Sequence, residues 1–299
     1  MSVVPDPAGL YGDDPDYEDW ALGRMGSKLN FGFVYENKLF SQYKDVGLVP
    51  PGFTPAGADS TAADLELWTG KYMAGSDPKT GQKIKIEVKL DPSADYGQAS
   101  LTHNGSSWVL SGKNTTEALE MRRLLNQMNV VTEINRVWKG RPNLFKYKTS
   151  KQVPPAEKSY DLETYKSSFI KGSGFARAFA SYYSSKGVHY IQIGGYGLYS
   201  LMQDPNNLHN LGVTPFLNSG ASMKLRIRTK GSTSQGTYRF STALLMDTPP
   251  RKSRFNLDDE DALETLRWDA VGCSNATPPL AAQRPLAIQL GFLPFNFPL

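Results

Sequence analysis

Cysteine is nearly absent from this sequence: Cys273 is the only one in 299 residues, so no intrachain disulfide can form and no cysteine pair is present to hold zinc. A cystine-stapled secreted scaffold is thereby excluded, and a reducing, intracellular setting is expected. Long apolar runs are missing as well. No stretch approaches the ~18 apolar residues of a membrane span, and the start MSVVPDPAGLYGDD lacks a basic segment followed by an apolar one, so neither export nor a membrane partner is expected. Histidine is scarce: His103, His189 and His209 stand far apart, without H-x-x-x-H or H-E-x-x-H spacing, and nothing supports metal hydrolysis. There is no G-x-S-x-G pattern for an activated serine. Clustered carboxylates occur at 13–19 and 258–261, in proline- or charge-rich surroundings where burial would not raise a pKa. No catalytic, cofactor or metal-binding residue is therefore assigned from the sequence.

What is present points to β structure. Gly 27, Pro 20 and 11% aromatics suit a turn-rich fold, and 299 residues suffice to bury a core without staples. Within Ser222–Asp247, Met223, Leu225 and Ile227 alternate with Lys224, Arg226 and Arg228, giving one apolar and one cationic strand face. Tyr238, Phe240, Leu244 and Met246 form the partner strand of a hairpin. KIKIEVKL, residues 83–90, alternates strictly, which predicts an antiparallel strand with a wet face carrying Lys83, Lys85, Glu87 and Lys89. Gln98–Thr102 and Trp108–Leu110 flank an Asn-Gly turn and predict a second hairpin. Met121, Leu124, Leu125 and Met128 recur at helical spacing after Asn114, an N-cap with Glu117 as its box partner. Phe175, Phe179 and Tyr182 have helical spacing too.

Other segments read less regularly. Leu29, Phe31, Phe33 and Tyr35 predict a strand within Lys28–Phe40, and Val130–Trp138 and Leu144–Tyr147 are expected to be β. Val153-Pro154-Pro155 reads as a stiff linker or a long loop. Gly194, Gly195 and Gly197 fit a bend in a strand better than a phosphate loop, since Ser200 stands where the third glycine of G-x-G-x-x-G belongs. The acids at 258–261 suit the first turn of a helix with Leu263 and Leu266 inward. Leu286–Leu293 predicts a last strand. Together these give a mainly β chain, an antiparallel β-sandwich of jelly-roll type with one or two short inserted helices. Residues 1–59 form an extended acidic arm and first strand and 60–299 the sandwich, with an alternative sub-boundary at 152–156.

The net charge is +4, unevenly placed. Arg136, Lys139, Arg141, Lys146 and Lys148 lie in a run without acids; Lys224, Arg226 and Arg228 line one strand face; Arg251, Lys252 and Arg254 follow the hairpin. These are the candidate contacts for nucleic acid or a protein partner, acting by charge and without sequence preference. Tyr17 and Trp20 among the N-terminal acids, and Phe295 and Phe297 in the apolar LPFNFPL tail, are candidate assembly anchors.

The strand rhythm of KIKIEVKL, VHYIQI, MKLRIR, TYRFSTALLM and LAIQLGF over residues 60–299 resembles that of single jelly-roll viral coat proteins. The resemblance implies a structural, non-enzymatic protein: a self-assembling homo-oligomeric shell subunit located in the virion. One departure stands out, because many such coats carry a basic N-terminal arm and this one is acidic. Two other classes stay open: a β-rich nucleic-acid-binding protein acting through its basic strand faces, and an enzyme without a recognisable motif. Particle size would mark the first, salt-sensitive binding the second, and a deep polar pocket the third.

Overall fold

The hairpin forms as its alternation demands. In the computed structural model, which describes residues 31–50, 52–55, 63–69, 82–231 and 238–271, strand β9 (Ser222–Gly231) pairs antiparallel with β10 (Tyr238–Thr248), with Leu225 opposite Leu244 and Arg228 opposite Ser241. Met223, Leu225 and Ile227 are buried, so one face of the ribbon covers a core. The second expected hairpin, β3 (Gln98–His103) and β4 (Trp108–Ser111), adds to the free side of β10, and β5 (Ser168–Lys171) flanks β9. The resulting sheet, in the order β4-β3-β10-β9-β5, is antiparallel throughout.

The other sheet is mixed. Strand β2 (Gln82–Lys89) runs antiparallel to β1 (Leu65–Thr69) but parallel to β6 (Tyr190–Ile193), while β7 (Gly197–Ser200) is antiparallel to β6 and parallel to the short β8 (Thr214–Pro215). A parallel pair needs a long crossover, and here the chain between β2 and β6 contains β3, β4, β5 and four helices. With ten strands and six α-helices among the described residues, the fold is mixed α/β. This corrects the expectation of a mainly β, wholly antiparallel body: the crossover carries the two helices expected at 114–128 and from Phe175 together with two segments, 130–137 and 155–164, read as a strand and a linker.

Three of those segments show why. Residues 31–40 belong to helix α1 (Phe31–Asp45) rather than a strand, because Tyr35, Leu39 and Tyr43, four apart, form a single stripe that is wholly buried. Val130–Val137 is helix α3, following α2 (Thr116–Gln127), and not β; Asn129 in a left-handed conformation (φ 57°) redirects the chain, and Val130 and Ile134 turn inward. Leu144–Tyr147 is a 3-10 turn (Asn143–Lys146) and its exit. The prolines at 154 and 155 do not make a linker, since Pro155 opens helix α4 (Pro155–Thr164), a position where its missing N–H costs nothing. The expected helix at 114–128 is α2, with Thr115 in place of Asn114 as cap: its Oγ1 accepts the Ala118 N–H at 3.3 Å.

Helices α1 and α6 (Glu260–Val271) cover one face of the mixed sheet, where Leu39, Ile86, Tyr190, Leu198 and Leu266 share a core. On its other face Ile191, Ile193 and Tyr199 join a larger core with the inner side of the antiparallel sheet, α2, α3 and α5 (Phe175–Ser185). At its centre the Trp108 ring meets Phe240 edge-on at 4.9 Å and Trp138 at a tilt at 5.2 Å, both within the range of aromatic core packing. Asn135 accepts the Trp108 backbone N–H and donates to the Trp108 carbonyl, fixing α3 to β4.

Candidate active site: a buried acid cluster heading a cleft

The outer face of β2 begins wet and ends covered. Lys83 and Lys85 are exposed as expected, but Glu87 is only 5% exposed. This corrects the prediction of a solvated face along the whole strand; Tyr183, near the C-terminal end of α5, lies beside Glu87 and is buried with it. Asp64, just before β1, falls one position beyond the Leu65–Ile86 pair and so meets the same end of β2. One of its oxygens accepts the Val88 N–H at 2.9 Å. The Lys89 ammonium pairs with Glu87 and lies 3.8 Å from Asp64. Glu36, on α1, is the third buried carboxyl.

Burial sets the electrostatics. It pushes the Glu36 carboxyl up to about 8, with Asp64 adding to the effect, and raises Asp64 to about 6 with help from Glu87. Burial opposes the charge on Lys89, yet Glu87, Asp64 and Glu36 outweigh it and hold the ammonium above the usual lysine range. The cluster heads a cleft of about 990 Å³, whose walls include Asp95, Gln98, Ser100, Ser111, Lys113 and Lys186. Gly194 holds the exit of β2: its N–H donates to the Lys89 carbonyl at 2.9 Å, and a Cβ there would lie 2.1 Å from the Leu90 oxygen. The 194–197 glycines thus form the β6–β7 turn that packs on this strand end.

The basic residues singled out in the sequence do not share one surface role. Arg226 and Arg228 both reach Asp95, at 2.7 and 2.9 Å, and Asp95 lines the cleft. Lys224 pairs with Asp247 at 2.9 Å. Arg136 pairs with Glu133 at 2.9 Å, and Lys146 lies 3.8 Å from Glu157. Lys139, Arg141 and Lys148 are exposed. Arg251 caps the carbonyls of Asn218 and Ser219, beside exposed Lys252 and Arg254. Of all these positions none lines the cleft. Tyr17, Trp20, Phe295, Phe297, Cys273 and the strand expected at 286–293 lie outside the described residues.

Ser200, His209 and Asp204 form a hydrogen-bonded chain, 2.7 Å from Oγ to Nε2 and 3.2 Å from Nδ1 to the carboxylate. Ser200 is 2% exposed, and Asp204 also accepts the N–H groups of Leu208 and His209. The chain locks a turn against β7.

No protein-family model, curated protein or solved structure matches the chain. Sequence analysis passed over Glu36, Asp64, Glu87 and Lys89 because Glu87 and Lys89 sat on a strand face read as wet, Glu36 fell in a segment read as a strand, and Asp64 belonged to no pattern. The available signal was an acid directly before one strand and a Glu-x-Lys at the end of the next. Among the described residues no group of three or more His, Cys, Asp or Glu side chains is placed to hold a metal ion. The cluster offers two carboxylates that converge on one cation, the ammonium of Lys89, and a third nearby.

Proposed function

We propose that the protein is a hydrolase that cleaves nucleic-acid phosphodiester bonds with a divalent cation such as Mg²⁺. The observation that carries this reading is the convergence of Asp64 and Glu87 on Lys89 at the buried head of a polar cleft. Buried carboxylates are costly unless paired or bound to a cation. Hard oxygen ligands suit Mg²⁺, which takes one or two protein carboxylates and completes its shell with water and substrate phosphate oxygens; Asp64 and Glu87 would hold it once the Lys89 ammonium, which fills their convergence here, swings aside toward the substrate phosphate. The bound ion supplies charge that polarises the phosphoryl group and lowers the pKa of water.

The chain's own groups account for the rest. The oxygen of a water adds to phosphorus as one P–O ester bond breaks; Glu36, pushed up to about 8, is a proton acceptor of suitable strength near neutral pH, and the departing alkoxide takes a proton from solvent. Lys89 stays protonated beside the two carboxylates and opposes the negative charge that grows on the phosphoryl oxygens. Lys113 and Lys186 on the cleft walls favour an anionic substrate.

Purified protein incubated with supercoiled plasmid should nick it in Mg²⁺ and not in EDTA. Asp64→Asn, Glu87→Gln and Lys89→Ala should each lower the rate by about a hundredfold or more, with circular dichroism unchanged. Activity that survives EDTA, or folded variants that keep the wild-type rate, would overturn the reading.

A further inference from the structure

We propose that the outer face of the antiparallel sheet is a docking surface for a nucleic-acid strand that continues into the cleft; its role as an extension of an active site rests on the hydrolase reading above. The strand register places two cross-strand rows on this face. One runs Ser111, Ser100, Ser241, Arg228 over four strands, and the next runs Gln98, Ala243, Arg226, Phe169. Ser111, Ser100 and Gln98 are also walls of the cleft, so both rows begin at the cleft and lead away from it. Side chains two apart on a strand share a face, which adds Lys224 on β9, Arg239 on β10 and Lys171 on β5. Against these five cations stand two carboxylates: Asp95, shared by Arg226 and Arg228, and Asp247, shared by Lys224 and Lys171. Arg239 is exposed.

A second observation points the same way. Arg226 Nε, Arg228 Nε and Ser241 Oγ are buried polar atoms with no hydrogen-bond partner, on the same side of the same two neighbouring strands. Buried groups left unpaired are uncommon, and a phosphate reaches these three only if the side chains above them shift; the exposed cations of the face, Arg239 and Lys171, are the donors an acceptor-rich anionic ligand meets first. A phosphate backbone matches their charge and hydrogen-bonding sense. At the far end of the second row Phe169 is 52% exposed; the Lys224 ammonium lies 4.9 Å over its ring, so a base would stack on the side Lys224 leaves open, and cationic tracks with aromatic platforms are how single strands are held without sequence readout.

The test is fluorescence anisotropy with a labelled 20-nucleotide single-stranded DNA, in EDTA so that the probe stays intact, over a range of salt concentrations. Wild-type protein should bind with strong salt dependence. Arg228→Gln/Arg239→Gln should weaken binding at least tenfold and reduce the log–log salt slope by about 1.4, two single-strand phosphate contacts at ~0.7 each. Phe169→Ala should weaken it about fivefold or more with the slope unchanged. Should the double variant fail to fold, Lys171→Gln and Arg239→Gln singly, both at exposed positions, should each lower the slope by about 0.7. Folded variants that bind like wild type overturn the surface. The hydrolase reading is tested apart from it by wild-type turnover of bis(p-nitrophenyl) phosphate in Mg²⁺, an ester too small to span the sheet. Absence of that turnover overturns the hydrolase reading and leaves a binding surface; turnover with unaltered strand binding by the variants does the reverse.

Discussion

Glu36 and Asp64 show what burial does to single residues. Both carboxyls are raised, to about 8 and about 6, by burial first and by each other or Glu87 next. A carboxyl whose folded pKa exceeds its unfolded value binds protons more tightly in the native state, so the stability it contributes is complete below the unfolded pKa and is lost as pH rises through the folded one. Metal-free protein should therefore lose thermal stability between about pH 4.5 and pH 8. Glu36→Gln removes the group with the larger shift and should flatten the upper part of that loss, from pH 6 to 8. Melting temperatures in EDTA, measured for both proteins across this range, check it; parallel curves would show that Glu36 ionises freely.

At the scale of elements, the site depends on the exit of β2 being held in place. The β6–β7 turn does this through the bond from Gly194 to the Lys89 carbonyl, with no room for a side chain. Gly194→Ala forces the turn away from Leu90; overpacking of this kind costs about 1–3 kcal/mol, and because the displaced residues adjoin Lys89, nicking should fall by more than stability does. Chemical denaturation and a plasmid assay on the folded fraction separate the two effects. The central hairpin is tested differently: Leu225 is fully buried opposite Leu244, so Leu225→Asp should abolish cooperative folding, with a cost above the ~2–5 kcal/mol of a Leu-to-Ala cavity. Elements with strong periodicity were legible in advance, among them β2, β9, β10, α2 and α5. Helix α1 was not, because residues 31, 33 and 35 alternate like a strand while the buried stripe continues at 39 and 43, beyond the window that suggested alternation.

For the whole molecule, cation binding and proton binding compete for the same carboxylates. Mg²⁺ should raise the melting temperature more at pH 8 than at pH 6. At a hundred times the dissociation constant the stabilisation is ~2.7 kcal/mol, which for a chain of this size corresponds to roughly 4 °C. Differential scanning calorimetry at the two pH values checks both size and direction; an equal shift at both, or none, would mean that Asp64 takes no part in binding. No helix among the described residues is long and apolar enough to cross a membrane.

The sequence alone determined the local features whose physics is local: alternation along β2, β9 and β10, the Asn-Gly turn between β3 and β4, the apolar stripe of α2, and the cationic row Lys224, Arg226, Arg228. Tertiary structure decided everything that depends on what covers a face. Glu87 and Lys89 carry the same alternation as Lys83 and Lys85, and only the packing of α5 over one end of the strand turns surface charges into a buried cluster. Asp64 and Glu36 join it from segments 23 and 51 residues away from Glu87, brought there by the β1–β2 register and by α1. The parallel pairing of β2 with β6 lies across a crossover of a hundred residues, a separation over which no periodicity reports a partner. The perturbed electrostatics of the cluster reside in that distant convergence, since a carboxylate acquires a perturbed pKa from its neighbours in space and from burial, neither of which its neighbours in sequence specify.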